Sequence, residues 1–218
     1  HILVPMLIAS SWSWVTKRKV IPRVFCISTS SSRKCFLRLG SRAERGSSSK
    51  SILGRLITAR AKATAIYGLL KEKPQIVVLG ADTVVSIDSI SLGKPLDSDE
   101  AIEMLQRLSG KRHEVYTGIV LQGPNNSEIS DCICTEVWMK SLSDADIESY
   151  VSCGEPFGKA GAYAIQGRGA RFVERINGCY YNVVGLPLSR LSTMLQEFGF
   201  VFSNHWQCRY GIGWRSAL

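Results

Sequence analysis

Residues 75–95 read QIVVLGADTVVSIDSISLGKP, and one carboxylate in that stretch frames everything around it. An apolar run, Ile76-Val77-Val78-Leu79, leads into Gly80-Ala81-Asp82-Thr83, and Lys94 follows twelve residues after the aspartate. Consecutive β-branched and aliphatic residues bounded by polar turns predict a strand buried on both faces, with Asp82 at its end. Taking a carboxylate out of water costs several kcal/mol unless a cation, a metal or hydrogen-bond donors meet it. Asp82 therefore requires a partner and is the first candidate for chemistry.

The chain has 218 residues and is 45% hydrophobic, enough for a sizeable core in one domain. Its net charge of +9 is unevenly placed. Residues 1–70 carry thirteen Lys and Arg against Glu44 alone, a net of +12, which leaves fourteen against seventeen, or −3, in residues 71–218. That basic third has no aromatic interleaving and no nucleic-acid module, so nucleic acid is not an expected partner. The seven cysteines, at 26, 35, 132, 134, 153, 179 and 208, are odd in number and irregularly spaced. Cys132-Ile133-Cys134 is too tight for a zinc knuckle, and reduced thiols in a cytoplasmic protein are expected. The apolar stretch 2–8 is too short to span a bilayer. The Ser-, Lys- and Arg-rich residues after it share the composition of a transit peptide. Without a clean cleavage signal, a fragment boundary or faulty exon joining is the preferred explanation.

From Ile27 the sequence ISTSSSRKCFLRLG predicts a strand end, a Ser-rich loop and a short helix closed by Gly40. Hydroxyls, helix-start amides and the Arg33-Lys34 pair would make an anion site, and a solvated linker fits the same residues. Residues 46–50 read as linker, and helical periodicity resumes with Ile52, Leu56, Ile57, Ala61 and Ala65, running to about Leu70. Lys62 lies on that helix between two alanines, where small neighbours permit close approach.

Beyond the central strand, residues 84–90 continue extended toward a turn, and Gly93-Lys94-Pro95 forms a loop fixed by proline. A helix is predicted over 97–108, with Ala101, Met104, Leu105 and Leu108 inward and Gly110 as its stop. Residues 113–121 alternate into the turn Gln122-Gly123-Pro124-Asn125-Asn126, with a partner strand over 131–140. His113 is expected to be structural, at a strand edge. Ser143 should cap a helix to Val151. The glycines and alanines of 155–167 signal a backbone pressed against a ligand or, equally, a tight crossing of chain segments. Residues 171–183 are predicted as two strands joined at Asn177-Gly178. A last helix should begin at 185–188, bury Leu188, Leu191, Met194 and Leu195, and stop at Gly199. Residues 200–218 show no period.

Six motifs now fall in order: ARAKA at 59–63, LGADTVV at 79–85, GKP at 93–95, LSGKRHEVYTG at 108–118, EPFGKAGAYAIQG at 155–167 and NVVGLPL at 182–188. Together they resemble the Maf family of septum-formation-inhibitor-like nucleotide pyrophosphatases, over residues 59–199. The resemblance implies an α/β fold of Maf/ITPase type, a mixed central sheet flanked by helices, with a cleft. It implies a divergent segment over 1–26, the pyrophosphatase domain over 27–199 and a divergent tail over 200–218. The implied reaction hydrolyses a nucleoside triphosphate to the monophosphate and pyrophosphate with a divalent cation, Mg²⁺ or Mn²⁺. A homodimer is compatible with it, and no membrane is involved.

Residue by residue, the resemblance makes Asp82 the catalytic aspartate and metal ligand. It makes Thr83 and Gln166 the positions tied to base choice, as in members acting on dTTP and UTP, and Lys62, Lys94 and Lys159 the lysines lining the cleft. Arg33 and Lys34 match the second half of a Ser-Ser-Pro-Arg-Arg loop, with Ser32 for its proline and Lys34 for its last arginine. Lysine keeps the charge there and loses the planar fork. The interval from that loop to Lys62 is short and lacks the family's Asp/Glu pair, and Gly158 replaces the acid usually found before Lys159. These departures admit two alternatives: a catalytically impaired nucleotide-binding protein, and a pyrophosphatase for another, for example methylated, nucleotide.

Overall fold

The computed structural model describes residues 23–27, 48–69 and 76–200. Its elements in chain order are β1 (Arg23–Ile27), α1 (Ser48–Leu69), β2 (Ile76–Ile87), β3 (Ile90–Leu92), α2 (Ser98–Leu108), β4 (Arg112–Gln122), β5 (Glu128–Met139), α3 (Asp144–Ser152), β6 (Val173–Asn177), α4 (Tyr180–Val184) and α5 (Leu188–Glu197). The expected Ser-rich loop and short helix over 28–40, with Arg33 and Lys34, lie outside the described residues.

The strand order is β1-β2-β4-β5-β6, with β3 hairpinned back on β2. β1 runs parallel to β2 and the other pairs are antiparallel, so the sheet is mixed, as expected. Parallel neighbours need a crossover, and α1 supplies it between β1 and β2. β2 does not stop at Asp82. It continues to Ile87, so the carboxylate lies in mid-strand. Turn chemistry is what finally ends it: Asp88 and Ser89 both take positive φ, 49° and 63°, the requirement of a two-residue hairpin.

Both faces of β2 are covered, as the apolar run predicts. On one face Val78 and Val120 pack against Ala59, Ala63 and Tyr67 of α1. On the other, Val77, Leu79 and Ala81 meet Leu191 and Met194 of α5, while Val85 and Ile87 join the larger core under α2 and α3. α2 buries the four residues expected of it, and its N-cap Asp97 accepts the Glu100 N–H. Ser143 likewise caps α3, accepting the Asp146 N–H.

Several expectations need correction. α1 begins at Ser48, inside the predicted linker, and Ile52 and Ile57 are 38% and 55% exposed while Ala59 and Ala63 are fully buried. The helix presents its small residues because only they fit against the sheet (see below). His113 is structural but lies in the interior strand β4, 1% exposed, with its Nε2 2.8 Å from the Tyr163 hydroxyl. Asn177-Gly178 joins no hairpin. It ends β6 and turns the chain into α4, where Asn182 donates to the Val115 carbonyl and Thr135 Oγ1. These buried bonds override the local turn preference. Leu188 is 37% exposed, because α5 opens there and turns Leu191 and Met194 inward instead.

Candidate active site

Asp82 sits opposite Gly118 across the β2–β4 ladder, with Gly80 two residues before it on the same face. A Cβ at Gly80 would lie 2.1 Å from the Ala59 carbonyl oxygen, and one at Gly118 2.7 Å from the Arg55 carbonyl carbon. Two missing side chains thus cut a channel in the sheet, and α1 lies in it with its backbone against the strands. That close approach carries Arg55 and Lys62 to Asp82. Lys62 Nζ donates to Asp82 Oδ1 at 2.5 Å and to the Ala81 carbonyl at 3.1 Å, and Arg55 NH1 donates to Oδ2 at 2.8 Å.

Only 15% of the Asp82 side chain is exposed, against 14% for Lys62 and 25% for Arg55. A unit-charge pair at 4 Å gains about 4 kcal/mol at an effective dielectric near 20, so two such partners offset the desolvation of one carboxylate. The partner that the sequence requires for Asp82 is therefore a pair of cations. Lys62 is one of the predicted site residues. Arg55 was not, and the signal that would have found it is its spacing of seven residues from Lys62, two helical turns on one face.

Lys94 enters from the loop after β3. Burial lowers its pKa, Lys62 and Lys159 lower it further, and Asp82 opposes the shift. Lys62, Lys159 and Asp82 therefore each lie within electrostatic reach of Lys94. A backbone bond, Gly161 N–H to the Gly93 carbonyl at 2.9 Å, ties the loops that carry Lys94 and Lys159. A Cβ at Gly161, which has φ +69°, would meet Val85 Cγ2 at 2.9 Å. Of the two readings of residues 155–167, the tight crossing is the one observed at this glycine.

Thr83 is not on the face of Asp82. Neighbouring residues of a strand point to opposite sides, and Thr83 Oγ1 pairs with Thr117 Oγ1 at 2.8 Å and reaches the Gly185 carbonyl at 3.4 Å. Thr117 donates in turn to the Asn182 carbonyl, so Thr83 ends a polar chain leading into the 182–188 motif. Gln166 is exposed, in the turn between Ile165 and Gly167. Glu155 holds the following turn by accepting the Arg168 and Gly169 N–H groups and the Tyr150 hydroxyl. Burial pushes the Glu155 carboxyl up, and those donors outweigh it and hold it below the usual range.

Among the described residues no group of three or more His, Cys, Asp or Glu is assembled to hold a metal, and no helix is long and apolar enough to cross a membrane. Cys132, Cys134, Cys153 and Cys179 are free thiols.

The motif order that surrounds this cluster extends to the family level, since residues 28–198 match the model of the Maf-like proteins. The chain belongs to the Maf family. This Maf-like chain is 49% identical over 142 residues to a dTTP/UTP pyrophosphatase of Clostridium botulinum (strain Kyoto / Type A2), spanning 65% of the chain and 73% of that relative. It is 49% identical over 146 residues to a dTTP/UTP pyrophosphatase of Carboxydothermus hydrogenoformans, spanning 66% and 77%. A third relative with the same name, from Caldicellulosiruptor bescii, is 48% identical over 144 residues.

Proposed function

We propose that the chain hydrolyses dTTP or UTP to the monophosphate and pyrophosphate. The best support is the pairing of Asp82 with Lys62, beside Lys94, in a chain whose curated relatives are dTTP/UTP pyrophosphatases. A triphosphate carries about four negative charges, and cleavage places more on the departing pyrophosphate. Water attacks the α-phosphorus, its proton is released, and pyrophosphate leaves with the electron pair of the α–β anhydride bond. Lys62, Lys94 and Lys159 meet the phosphate oxygens. Burial first, and repulsion from Lys62 and Lys159 after it, lower the Lys94 pKa, and the repulsive part is relieved when a polyanion enters, so the cluster is prepared for that charge. Arg33 and Lys34 are assigned to the phosphates by their motif.

A divalent cation of the Mg²⁺ or Mn²⁺ class belongs to this proposal. Such ions take oxygen ligands, keep several waters and are commonly held by one or two carboxylates plus substrate phosphates. Asp82 fits as that donor: it is an oxygen ligand, largely shielded from solvent, at the edge of the lysine cluster. When bound, the ion would neutralise phosphate charge. Asp82 itself would hold the ion or orient the attacking water. Gln166 offers both a donor and an acceptor to a pyrimidine edge. Thr83 is assigned to base choice through Thr117 and the Gly185 turn, and not through the face of Asp82. The reaction is placed in the cytoplasm, where thiols stay reduced.

A substrate panel measuring pyrophosphate with Mg²⁺ tests the proposal. Release from dTTP and UTP is expected, falling roughly a hundredfold or more in Asp82→Asn. Equal turnover by that variant would remove the role given to Asp82. Tight UTP binding without pyrophosphate release would favour a nucleotide-binding protein that has lost catalysis.

A further inference from the structure

Arg55 has no part in the chemistry above, yet it takes one oxygen of Asp82 for itself. Lys62 is anchored twice, to Asp82 and to the Ala81 carbonyl. Arg55 is held differently. Its NH1 bonds Asp82 Oδ2, while its Nε is shielded from solvent and has no partner among the described residues. A guanidinium carries five N–H donors in a planar fork suited to two oxygens at once. Leaving a shielded donor unsatisfied costs about 1–3 kcal/mol, so this position does not satisfy the side chain fully. Phosphate oxygens would satisfy it better, because Lys62 holds Asp82 Oδ1 and leaves Arg55 a single carboxylate oxygen, whereas a phosphate offers acceptors to both arms of the fork. The carboxylate oxygen that Arg55 covers is also one that a divalent ion would need.

We propose that Arg55 is a substrate-binding residue that occupies Asp82 Oδ2 in the free protein and moves to the triphosphate when a divalent ion takes that oxygen. Arg55 then acts as a resident counter-ion, keeping Asp82 neutralised until ion and nucleotide arrive together. The inference rests on the proposed reaction, and it makes Arg55 oppose ion binding while assisting nucleotide binding.

The test uses the full chain with two probes: Mn²⁺ alone, followed by the paramagnetic signal of the free ion, and a UTP analogue with a methylene α–β bridge, followed by calorimetry at saturating Mg²⁺. Asp82→Asn, Arg55→Gln and Arg55→Lys are compared, with circular dichroism confirming the fold of each. Asp82→Asn should abolish Mn²⁺ binding. Arg55→Gln should bind Mn²⁺ several-fold more tightly than wild type and the analogue about tenfold more weakly. Arg55→Lys should restore the competition with Mn²⁺, since the charge is kept, but not the affinity for the analogue, since the fork is lost. If Asp82→Asn abolishes Mn²⁺ binding and Arg55→Gln leaves it unchanged or weaker, the inference fails and the role of Asp82 stands. If Asp82→Asn binds Mn²⁺ as well as wild type, the role of Asp82 as ion ligand fails and the inference falls with it.

Discussion

Asp82 and Gly118 face each other across the β2–β4 ladder, and the missing side chain of one permits the ion pairs of the other. The Arg55 carbonyl oxygen would lie 2.8 Å and the Leu56 nitrogen 2.9 Å from a Cβ at position 118, so α1 rests directly on that bare backbone.

Gly118→Ala is therefore expected to lift α1 from the sheet near Arg55. A buried methyl group against backbone that cannot yield costs about 1–3 kcal/mol, and the displacement should also loosen Asp82 from Arg55 and Lys62. Urea denaturation and pyrophosphate release, measured together, should both fall. Wild-type stability in this variant would show that the contact is not confining.

Lys94 should set an alkaline limit on activity. Its lowered pKa means that it sheds its proton as pH rises while ordinary lysines keep theirs, and with the proton goes part of the attraction for the triphosphate. Profiles of kcat/KM against pH should decline earlier for wild type than for Lys94→Arg, whose charge persists. Identical alkaline limbs would place Lys94 away from the substrate.

His113 makes the fold sensitive to acid. Burial lowers its pKa to about 4 in the folded protein, against an ordinary value of 6.5. Between those values the unfolded chain binds the proton and the folded one does not, so stability is complete above the unfolded value and declines as pH falls toward the folded value. The loss is about 2 kcal/mol by pH 5. His113→Phe, which costs the Tyr163 hydroxyl its partner at every pH, should be less stable at pH 7 and show a shallower decline between pH 7 and pH 5 in urea midpoints. A slope as steep as wild type would assign the acid sensitivity to other groups.

Much of the architecture was legible because the signals were local. The caps Asp97 and Ser143 act within three residues of themselves, and the inner face of α2 follows helical spacing alone. Strand β4 meets its expected turn, where Asn125 and Asn126 take the positive φ that asparagine tolerates, although residues 115–121 are all buried and do not alternate. The failures are of another kind. Asn177-Gly178 carries a hairpin preference, but bonds from Asn182 to residues more than forty positions away decide the path. Ile52 and Ile57 are as apolar as any buried pair, yet α1 turns its alanines inward because the sheet beneath is cut down at Gly80 and Gly118.

The sequence by itself determined that a carboxylate in a buried strand needs compensation, because the cost of dehydrating Asp82 does not depend on topology. The ordered motifs around it also determined the family. Only the tertiary structure decided who compensates. Arg55 and Lys62 stand 27 and 20 positions before Asp82 and reach it because a crossover helix settles into a channel left by two glycines. It likewise decided that Thr83 belongs to the opposite face, since strand alternation separates neighbours once β2 runs unbroken through Asp82.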